Sequence, residues 1–292
     1  MTRPTAERDG DDDLCRTGVA RLPAVVDQET VARMADAVWA SLAPRGIDRS
    51  RPDTWPTGYL GKHQALRKRR TFDAFGGSST AAAVDRLLGR GRWSDRDAWG
   101  PALITFPEPG PWRVPDRIWH FDLPARGDPD QVRVARLFGY VTDVGPGGGA
   151  TVVVEGSHEL VRRTLAASPA RDLGSSAAVR KRLAAAHPWF AALLREGGDR
   201  TRQFMVDGDE IDGVRVRVAE LTAEAGDVVV MLPWTMHALA RNCARVPRFM
   251  VTHSIYRDDY YEPRANAEGS ASKAALQPAL QKNTSRPSAL DR

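Results

Sequence analysis

The chain has 292 residues, 42% of them hydrophobic and 27% charged, so it can bury a sizeable core and its composition is that of an ordinary globular protein. No apolar run approaches the roughly 20 residues that a membrane-spanning helix needs, so we expect no membrane partner. Lysine and arginine total 42 against 37 aspartates and glutamates, a formal net charge of +5. Cys15 and Cys243 are too few and too far apart for a disulfide framework or a zinc knuckle, and they are typical of a reducing compartment.

The two ends of the chain are poor in apolar residues. Residues 1–13 are polar and acidic, which is not the pattern of a secretory signal, and residues 264–292 are rich in small and polar side chains. We therefore expect both ends to be disordered and residues 14–263 to form a single domain. We also expect the protein to be cytoplasmic, as a monomer or a homodimer.

Two amphipathic helices are predicted in the first third of the chain. After Asp27, a suitable N-cap, apolar residues recur at helical spacing up to Leu42. A second helix fits Ala81–Leu88, preceded by Ser78 and Ser79. We expect both helices to pack on the outside of a barrel.

The most basic segment lies between these helices, and its cationic residues are Lys62, Arg67, Lys68, Arg69 and Arg70. No nucleic-acid-binding motif accompanies this cluster or the net positive charge. We interpret the cluster as a solvated charged face and do not expect a nucleic acid partner.

Strands are predicted next along the chain. Ala102–Phe106 fits a strand, and a loop with four prolines follows it. Gln131–Val141 and Ala150–Val154 fit two more, with a turn at residues 146–149 between them. The glycines of this turn lead into a strand, whereas the glycines of a phosphate-binding loop precede a helix. We therefore interpret this segment as a tight turn.

The β pattern is interrupted over residues 159–202, where apolar residues favour helices broken at Pro188 and ended by Gly197-Gly198. Strand alternation resumes at Val214–Leu221. A helical insertion of this kind could be a lid over a site, a structural cover or a dimer contact.

Three residues form a candidate metal site. His120 and Asp122 lie two residues apart, and in a strand they would point to the same side as Ile118. His237 follows a β-branched strand far downstream. Two imidazoles and one carboxylate form the facial triad of non-heme Fe(II) oxygenases, which leaves positions open for a co-substrate and dioxygen. No thiolate, which would favour zinc, belongs to the set.

Further motifs follow the first two of these residues. They are Tyr140–Val144, then Gly147–Thr151, then Glu155–His158. With the distant second histidine, this order resembles the phytanoyl-CoA dioxygenase family of Fe(II)/2-oxoglutarate-dependent oxygenases. The chain departs from the family at Glu155, where proline is usual, and at Gly148, where asparagine often stands. Neither position binds metal, so the resemblance is not weakened there.

The resemblance covers about residues 17–263 and implies a mainly β fold. This is the double-stranded β-helix, the jelly-roll of cupin-like barrels, with N-terminal helices and a helical insertion. The predicted short strands with turn signals favour the same architecture. The resemblance also implies His120, Asp122 and His237 as ligands of Fe(II), with 2-oxoglutarate as co-substrate.

In the family an arginine holds the distal carboxylate of 2-oxoglutarate, while the keto and C1 carboxylate oxygens bind the iron. Arg248, at the start of a predicted strand, fits that role, and Arg241 and Arg245 are its rivals. Three hydroxyl residues are candidate contacts to the co-substrate. Thr252 and Ser254 lie on the same strand face as this arginine, and Thr151 lies on a neighbouring strand.

The implied reaction converts 2-oxoglutarate and dioxygen to succinate and carbon dioxide while a small molecule is hydroxylated, in the tailoring of a specialised metabolite. Desaturation, cyclisation and epimerisation stay open. Asp122 argues against halogenation, because related halogenases have a small residue in its place. Cations in or near the insertion favour an anionic substrate: Arg162, Arg163, Arg180, Lys181, Arg182 and Arg195. The alternatives are a non-catalytic barrel that binds a ligand and an oxygenase of the same class that acts on nucleic acid.

Overall fold

Two antiparallel sheets form the framework of the protein in the computed structural model, which describes residues 13–95, 97–122, 131–167 and 175–260. The strands are β1 (Val19–Leu22), β2 (Gly58–His63), β3 (Ala102–Phe106), β4 (Val134–Tyr140), β5 (Thr151–Glu155), β6 (Asp209–Ile211), β7 (Val214–Glu220), β8 (Val228–Met231), β9 (His237–Leu239) and β10 (Arg248–Tyr256). The larger sheet has the order β1-β8-β4-β10-β3-β2 and the smaller β6-β7-β5-β9. The predicted mainly β, jelly-roll fold is confirmed.

Helices cover both sheets. They are α1 (Gln28–Leu42), α2 (Gln64–Lys68), α3 (Ser78–Leu88), α4 (Ser157–Ala166), α5 (Ser176–Ala186) and α6 (Pro188–Leu193). Residues 13–17 are also helical, and a π-helical turn spans Arg202–Asp207. None of the helices in the described ranges has both the length and the apolar character that crossing a membrane requires. The cytoplasmic location stays a prediction, as do the domain boundaries. Of the residues expected to be disordered, 1–13 and 264–292, all but Asp13 lie outside the described residues, and Asp13 is helical.

The N-terminal helices pack on the outer face of the larger sheet. Asp27 caps α1 by accepting a hydrogen bond from the Thr30 amide at 2.8 Å, which explains why the helix begins there. The buried residues of α1 belong to one core cluster with apolar residues of α3 and with every second residue of the neighbouring strands. Leu137 and Phe249 are two of these strand residues. The helices therefore lie where the spacing of apolar residues predicts them.

A second core cluster fills the space between the sheets. It contains Phe138 and Tyr140 of β4, Val153 of β5 and Met250 of β10. Because strand side chains alternate between faces, other residues at even positions of β4 and β10 also point into this interior. The interior face of β10 is therefore the row that begins with Arg248.

The helices α4 to α6 cover the outer face of the smaller sheet. Val152 and Val154 of β5 pack there against Val179 and Leu183 of α5 and Phe190 of α6. The helical character predicted for this part of the chain is present. This packing is what a structural cover requires, while the lid interpretation stays a prediction.

One buried arginine ties the insertion to the loop before the candidate metal site. Arg200 is 5% exposed. It donates hydrogen bonds to the carbonyl oxygens of Val114 at 2.9 Å and Pro115 at 2.7 Å in that loop. It also donates to Leu193 at 2.7 Å, at the end of α6, and to Arg195. The guanidinium therefore satisfies carbonyl groups of two separate segments at once.

We expect Arg200→Met to lower the free energy of unfolding by about 3 kcal/mol, because each hydrogen bond from a charged group contributes roughly 1.5 to 3 kcal/mol and the buried carbonyls lose their donor. Urea unfolding followed by circular dichroism measures the change. Arg195→Met is the matched control. The Arg195 side chain is exposed, and only its backbone carbonyl accepts a hydrogen bond from Arg200. Equal losses in the two variants would contradict the assignment.

Candidate metal centre

The structure brings His120, Asp122 and His237 together. One ligand atom from each residue lies within 4.8 Å of the other two. Nε2 of His120 is 3.4 Å from Oδ1 of Asp122, and Nε2 of His237 is 3.7 Å from Oδ2. The centroids of the two imidazole rings are 4.3 Å apart. Three groups of these types, converging at these distances, could hold one metal ion.

A single β-bridge places the two histidines opposite each other. The His120 amide donates to the His237 carbonyl at 2.9 Å, and the His237 amide donates to the His120 carbonyl at 2.8 Å. The predicted strand through His120 and Asp122 is wrong, because Ile118 has φ +64° and is 69% exposed. An extended strand needs negative φ, so the bridge to β9, and not strand alternation, makes the side chains converge.

Backbone carbonyls define which ring nitrogen of each histidine faces the site. Nδ1 of His120 lies 2.7 Å from the carbonyl oxygen of Ile118, and Nδ1 of His237 lies 3.0 Å from that of Thr235. A carbonyl oxygen only accepts, so each Nδ1 carries the proton. In the neutral imidazole, each Nε2 then has a lone pair for a metal ion.

The surroundings favour the ligand forms of Asp122 and His237 and the protonated form of His120. Burial lowers the pKa of His237 to about 4, so this imidazole is neutral at pH 7. Burial raises the pKa of Asp122, but the hydrogen bond with His120 and the charge of Arg136 outweigh it and leave this pKa well below its usual range. Burial lowers the pKa of His120, and its hydrogen bonds to Asp122 and Ile118 raise it, with a net upward shift. An ionised carboxylate and a neutral imidazole are the forms that bind metal.

The Glu-Gly-Ser-His segment supports the loop that carries His237. The Ser157 hydroxyl accepts a hydrogen bond from the Met236 amide at 2.8 Å and donates to the Val154 carbonyl at 2.6 Å. Gly156 has φ +76°, and a Cβ atom there would lie 2.3 Å from a backbone oxygen of β7. The backbone at Gly156 therefore excludes a side chain, and the two hydrogen bonds of Ser157 hold Met236, the residue next to His237, in place.

Arg248 lies inside the barrel with unpaired donors. It is 1% exposed, and its Nη2 donates to the Thr105 hydroxyl at 2.9 Å. Its Nε and Nη1 atoms have no hydrogen-bond partner among the described residues. Burial lowers the pKa of this guanidinium to about 10, so it is still charged at neutral pH. A buried cation with free donors is the environment into which a carboxylate fits.

The two rival arginines have other environments. Nη2 of Arg241 forms an ion pair with Glu108 at 3.0 Å, and its Nη1 donates to the Pro109 carbonyl at 2.8 Å. Arg245 is exposed. Within the described part of the chain, Arg248 is the one of these three arginines that is buried with unpaired donors.

The three candidate hydroxyl residues differ in their surroundings. Thr252 is buried on the interior face of β10, opposite Phe138 in the strand register. Thr151 is buried on β5, on the same face as the interior residue Val153. Ser254 accepts a hydrogen bond from the guanidinium of Arg136 at 2.8 Å. Their contact with the co-substrate stays a prediction.

Arg136 is a residue of the site that the sequence analysis missed. Its Nη2 atom lies 3.0 Å from Oδ2 of Asp122. It occupies β4 at the spacing of the interior residues Phe138 and Tyr140. A charged residue at an inward position of a strand is the signal that could have revealed it.

The comparison with protein families agrees with this geometry. The family model described as phytanoyl-CoA dioxygenase matches residues 14–250. The chain belongs to the phytanoyl-CoA dioxygenase family. The donor set of two imidazoles and a carboxylate fits Fe(II), and the free donors inside the barrel fit 2-oxoglutarate. Fe(II) and 2-oxoglutarate are the cofactor and co-substrate of this phytanoyl-CoA dioxygenase family member.

This family member is similar to solved structures at low sequence identity. The epimerase SnoN in complex with Fe3+, alpha ketoglutarate and nogalamycin RO is 17% identical, with 88% of this chain and 85% of that chain covered and a TM-score of 0.50. AviO1 from Streptomyces viridochromogenes Tue57 is 18% identical, with coverage of 88% and 97% and a TM-score of 0.49. HygX from Streptomyces hygroscopicus, with nickel and 2-oxoglutarate bound, is 13% identical, with coverage of 91% and 94% and a TM-score of 0.45. No curated protein matches the chain.

The helical insertion of this family member also contacts the segment that carries the first two site residues. The Phe121 amide donates to the Ser176 hydroxyl at 3.2 Å, and the Arg180 guanidinium donates to the Trp119 carbonyl. Both contacts come from α5. From the sequence, Arg180 is expected only as a possible contact to an anionic substrate, and nothing there indicates a role for Ser176.

Proposed function

We propose that the protein is an Fe(II)- and 2-oxoglutarate-dependent hydroxylase of a small molecule, acting in the tailoring of a specialised metabolite and releasing succinate and carbon dioxide. One observation carries the proposal. The protein combines three residues within reach of one metal ion, His120, Asp122 and His237, with a buried and partly unpaired arginine, Arg248. The first three groups suit a metal and the fourth suits a dicarboxylate. Membership of the phytanoyl-CoA dioxygenase family supports the same chemistry.

Each residue has a distinct task in this proposal. The Nε2 atoms of His120 and His237 and one carboxylate oxygen of Asp122 would hold Fe(II) and leave its other positions open. When bound together, the metal and 2-oxoglutarate would activate dioxygen, the oxidant that breaks a substrate C–H bond. Arg248 would hold the distal carboxylate of 2-oxoglutarate and so orient the molecule toward the metal. The apolar residues between the sheets exclude water from this space.

Hydroxylation is the preferred reaction within this class. Asp122 retains the carboxylate that related halogenases lack, which disfavours halogenation. Epimerisation, cyclisation and desaturation use the same metal and co-substrate, and the similar structure SnoN is described as an epimerase. Product mass separates hydroxylation, which adds one oxygen atom, from desaturation and cyclisation, which each remove two hydrogen atoms, and from epimerisation, which leaves the mass unchanged.

A nucleic acid substrate finds less support. In the basic segment, Arg67 lies 3.8 Å from Asp97, and Arg70 lies 2.5 Å from Asp73, so part of its charge is balanced by neighbouring carboxylates. These pairs leave less charge to attract a phosphate backbone. The anionic small-molecule substrate stays a prediction as well, since Arg162 and Arg163 both bind Glu159.

We expect 2-oxoglutarate, added without oxygen to the Fe(II)-loaded protein, to produce a weak visible charge-transfer band from the chelate. In air the same sample should release succinate slowly even without a substrate. In a screen of candidate molecules, the correct substrate should make succinate release faster. The Zn(II)-loaded protein is the control and should show neither. Uptake of Fe(II) and 2-oxoglutarate with no band and no succinate would instead support the non-catalytic barrel.

A further inference from the structure

Arg136 holds one oxygen atom of the metal ligand Asp122. Arg136 lies on β4 opposite Ser254 of β10 in the strand register. Its side chain is only 24% exposed, with Nη2 at 3.0 Å from Oδ2 of Asp122 and Nη1 donating to the Ser254 hydroxyl at 2.8 Å. The guanidinium carbon also lies 5.6 Å from the centroid of the Phe138 ring. Three neighbours therefore restrict where this cation can lie.

The two oxygen atoms of Asp122 have different neighbours. Oδ1 is 3.4 Å from Nε2 of His120. Oδ2 is 3.7 Å from Nε2 of His237 and, unlike Oδ1, also accepts the charge-assisted contact of Arg136. A carboxylate can bind a metal ion through one oxygen or through both. A guanidinium on Oδ2 favours binding through Oδ1 alone.

Arg136 and Arg248 lie at opposite ends of the site. Arg248 and Ser254 share the interior face of β10, about 20 Å apart at roughly 3.3 Å per residue. Thr252 lies between them and pairs with Phe138, whose ring centroid is 6.5 Å from that of His237. The triad is therefore flanked by Arg248 on one side and by Arg136 on the other. Each arginine then has its own carboxylate, a co-substrate carboxylate for Arg248 and Asp122 for Arg136.

We infer that Arg136, supported by Ser254, is a positioning residue that keeps Asp122 a one-oxygen ligand and so keeps one metal position free for dioxygen. The inference rests on the proposed function. An octahedral metal ion with three protein ligands has three further positions, of which 2-oxoglutarate occupies two. Binding of Asp122 through both oxygens would occupy the last.

The test compares Arg136→Met, Arg136→Lys and Ser254→Ala with the parent protein. Each protein is loaded with Fe(II) and 2-oxoglutarate without oxygen and titrated with nitric oxide, a probe of the free position that is read by electron paramagnetic resonance. We expect Arg136→Met to bind Fe(II) and 2-oxoglutarate within about threefold of the parent but nitric oxide at least about tenfold more weakly. Arg136→Lys should recover part of this affinity because it keeps the charge. Ser254→Ala should fall between the parent and Arg136→Met.

Arg49→Met is the control, because Arg49 forms an exposed ion pair with Asp36 of α1, on the outer face of the larger sheet, and its loss should leave all three affinities unchanged. Parental nitric oxide affinity in Arg136→Met and Ser254→Ala would overturn the inference and leave the proposed function standing. Loss of Fe(II) from Arg136→Met would also overturn it, since Arg136 would then be needed for metal binding itself. If Arg136→Met fails to fold, Ser254→Ala decides. A parent protein that binds neither Fe(II) nor 2-oxoglutarate would instead refute the proposed function.

Discussion

Replacing any one of His120, Asp122 and His237 by alanine should abolish stable Fe(II) binding and all succinate formation. Each substitution leaves two protein ligands, and a site that loses one of three donors should lose at least about a hundredfold in metal affinity, since even changes outside the ligand set cost about 10- to 100-fold. The measurement is the iron that stays with the protein after anaerobic loading and gel filtration. This is the largest effect that we expect from a single substitution.

The fold should survive these substitutions, because metal sites of this kind lie in the barrel interior without forming its core. His237 is the most buried of the three, so His237→Ala should show the largest loss of thermal stability. His187→Ala is the control, since His187 lies in the insertion at the start of α6 and should not affect iron binding. Iron binding at the parental level in all three triad variants would show that the triad is wrong.

Local signals explain which parts of the structure could be predicted from the sequence. The start of α1 follows from Asp27, whose carboxylate caps a helix that is amphipathic over its whole length. The strand Arg248–Tyr256 follows from its β-branched and aromatic content. In both cases residues close together in the sequence determine the helix or strand, so the local sequence pattern is enough to predict it.

The failures concern residues whose conformation or partners depend on distant parts of the chain. The positive φ of Ile118 is unusual for a β-branched residue, and no spacing rule predicts it. Arg136 acquires its role from Asp122 and Ser254, which lie on other segments. The convergence of the triad could be predicted only because the residue types and their order resemble those of a known family.

The contacts of the insertion show the same limit. Apolar spacing predicts helices there, and α5 and α6 are present. That Ser176 and Arg180 reach Phe121 and Trp119 depends on how these helices pack on the smaller sheet, which periodicity does not encode. A helix can be predicted from its own residues, but its docking partner cannot.

Arg248→Ala should keep Fe(II) affinity near that of the parent but raise the apparent requirement for 2-oxoglutarate by about a hundredfold or more. Two nitrogen donors of the guanidinium have no partner among the described residues, and charge-assisted hydrogen bonds contribute roughly 1.5 to 3 kcal/mol each. At about 1.4 kcal/mol per tenfold, two such bonds correspond to a hundredfold or more. Arg248→Lys should fall between the two, because lysine keeps the charge but loses the fork of donors.

In the absence of co-substrate, Arg248→Ala should be at least as stable as the parent protein. A buried cation with unpaired donors lowers the stability of the fold, and only a bound carboxylate offsets this cost. The experiment is succinate formation against 2-oxoglutarate concentration for the parent, Arg248→Ala, Arg248→Lys, Arg241→Ala and Arg245→Ala. The last two should match the parent, since Arg241 is paired with Glu108 and Arg245 is exposed. A large effect at Arg241 or Arg245 with none at Arg248 would show that another arginine holds the co-substrate, while a loss of Fe(II) in Arg248→Ala would show that its role is not separate from the metal site.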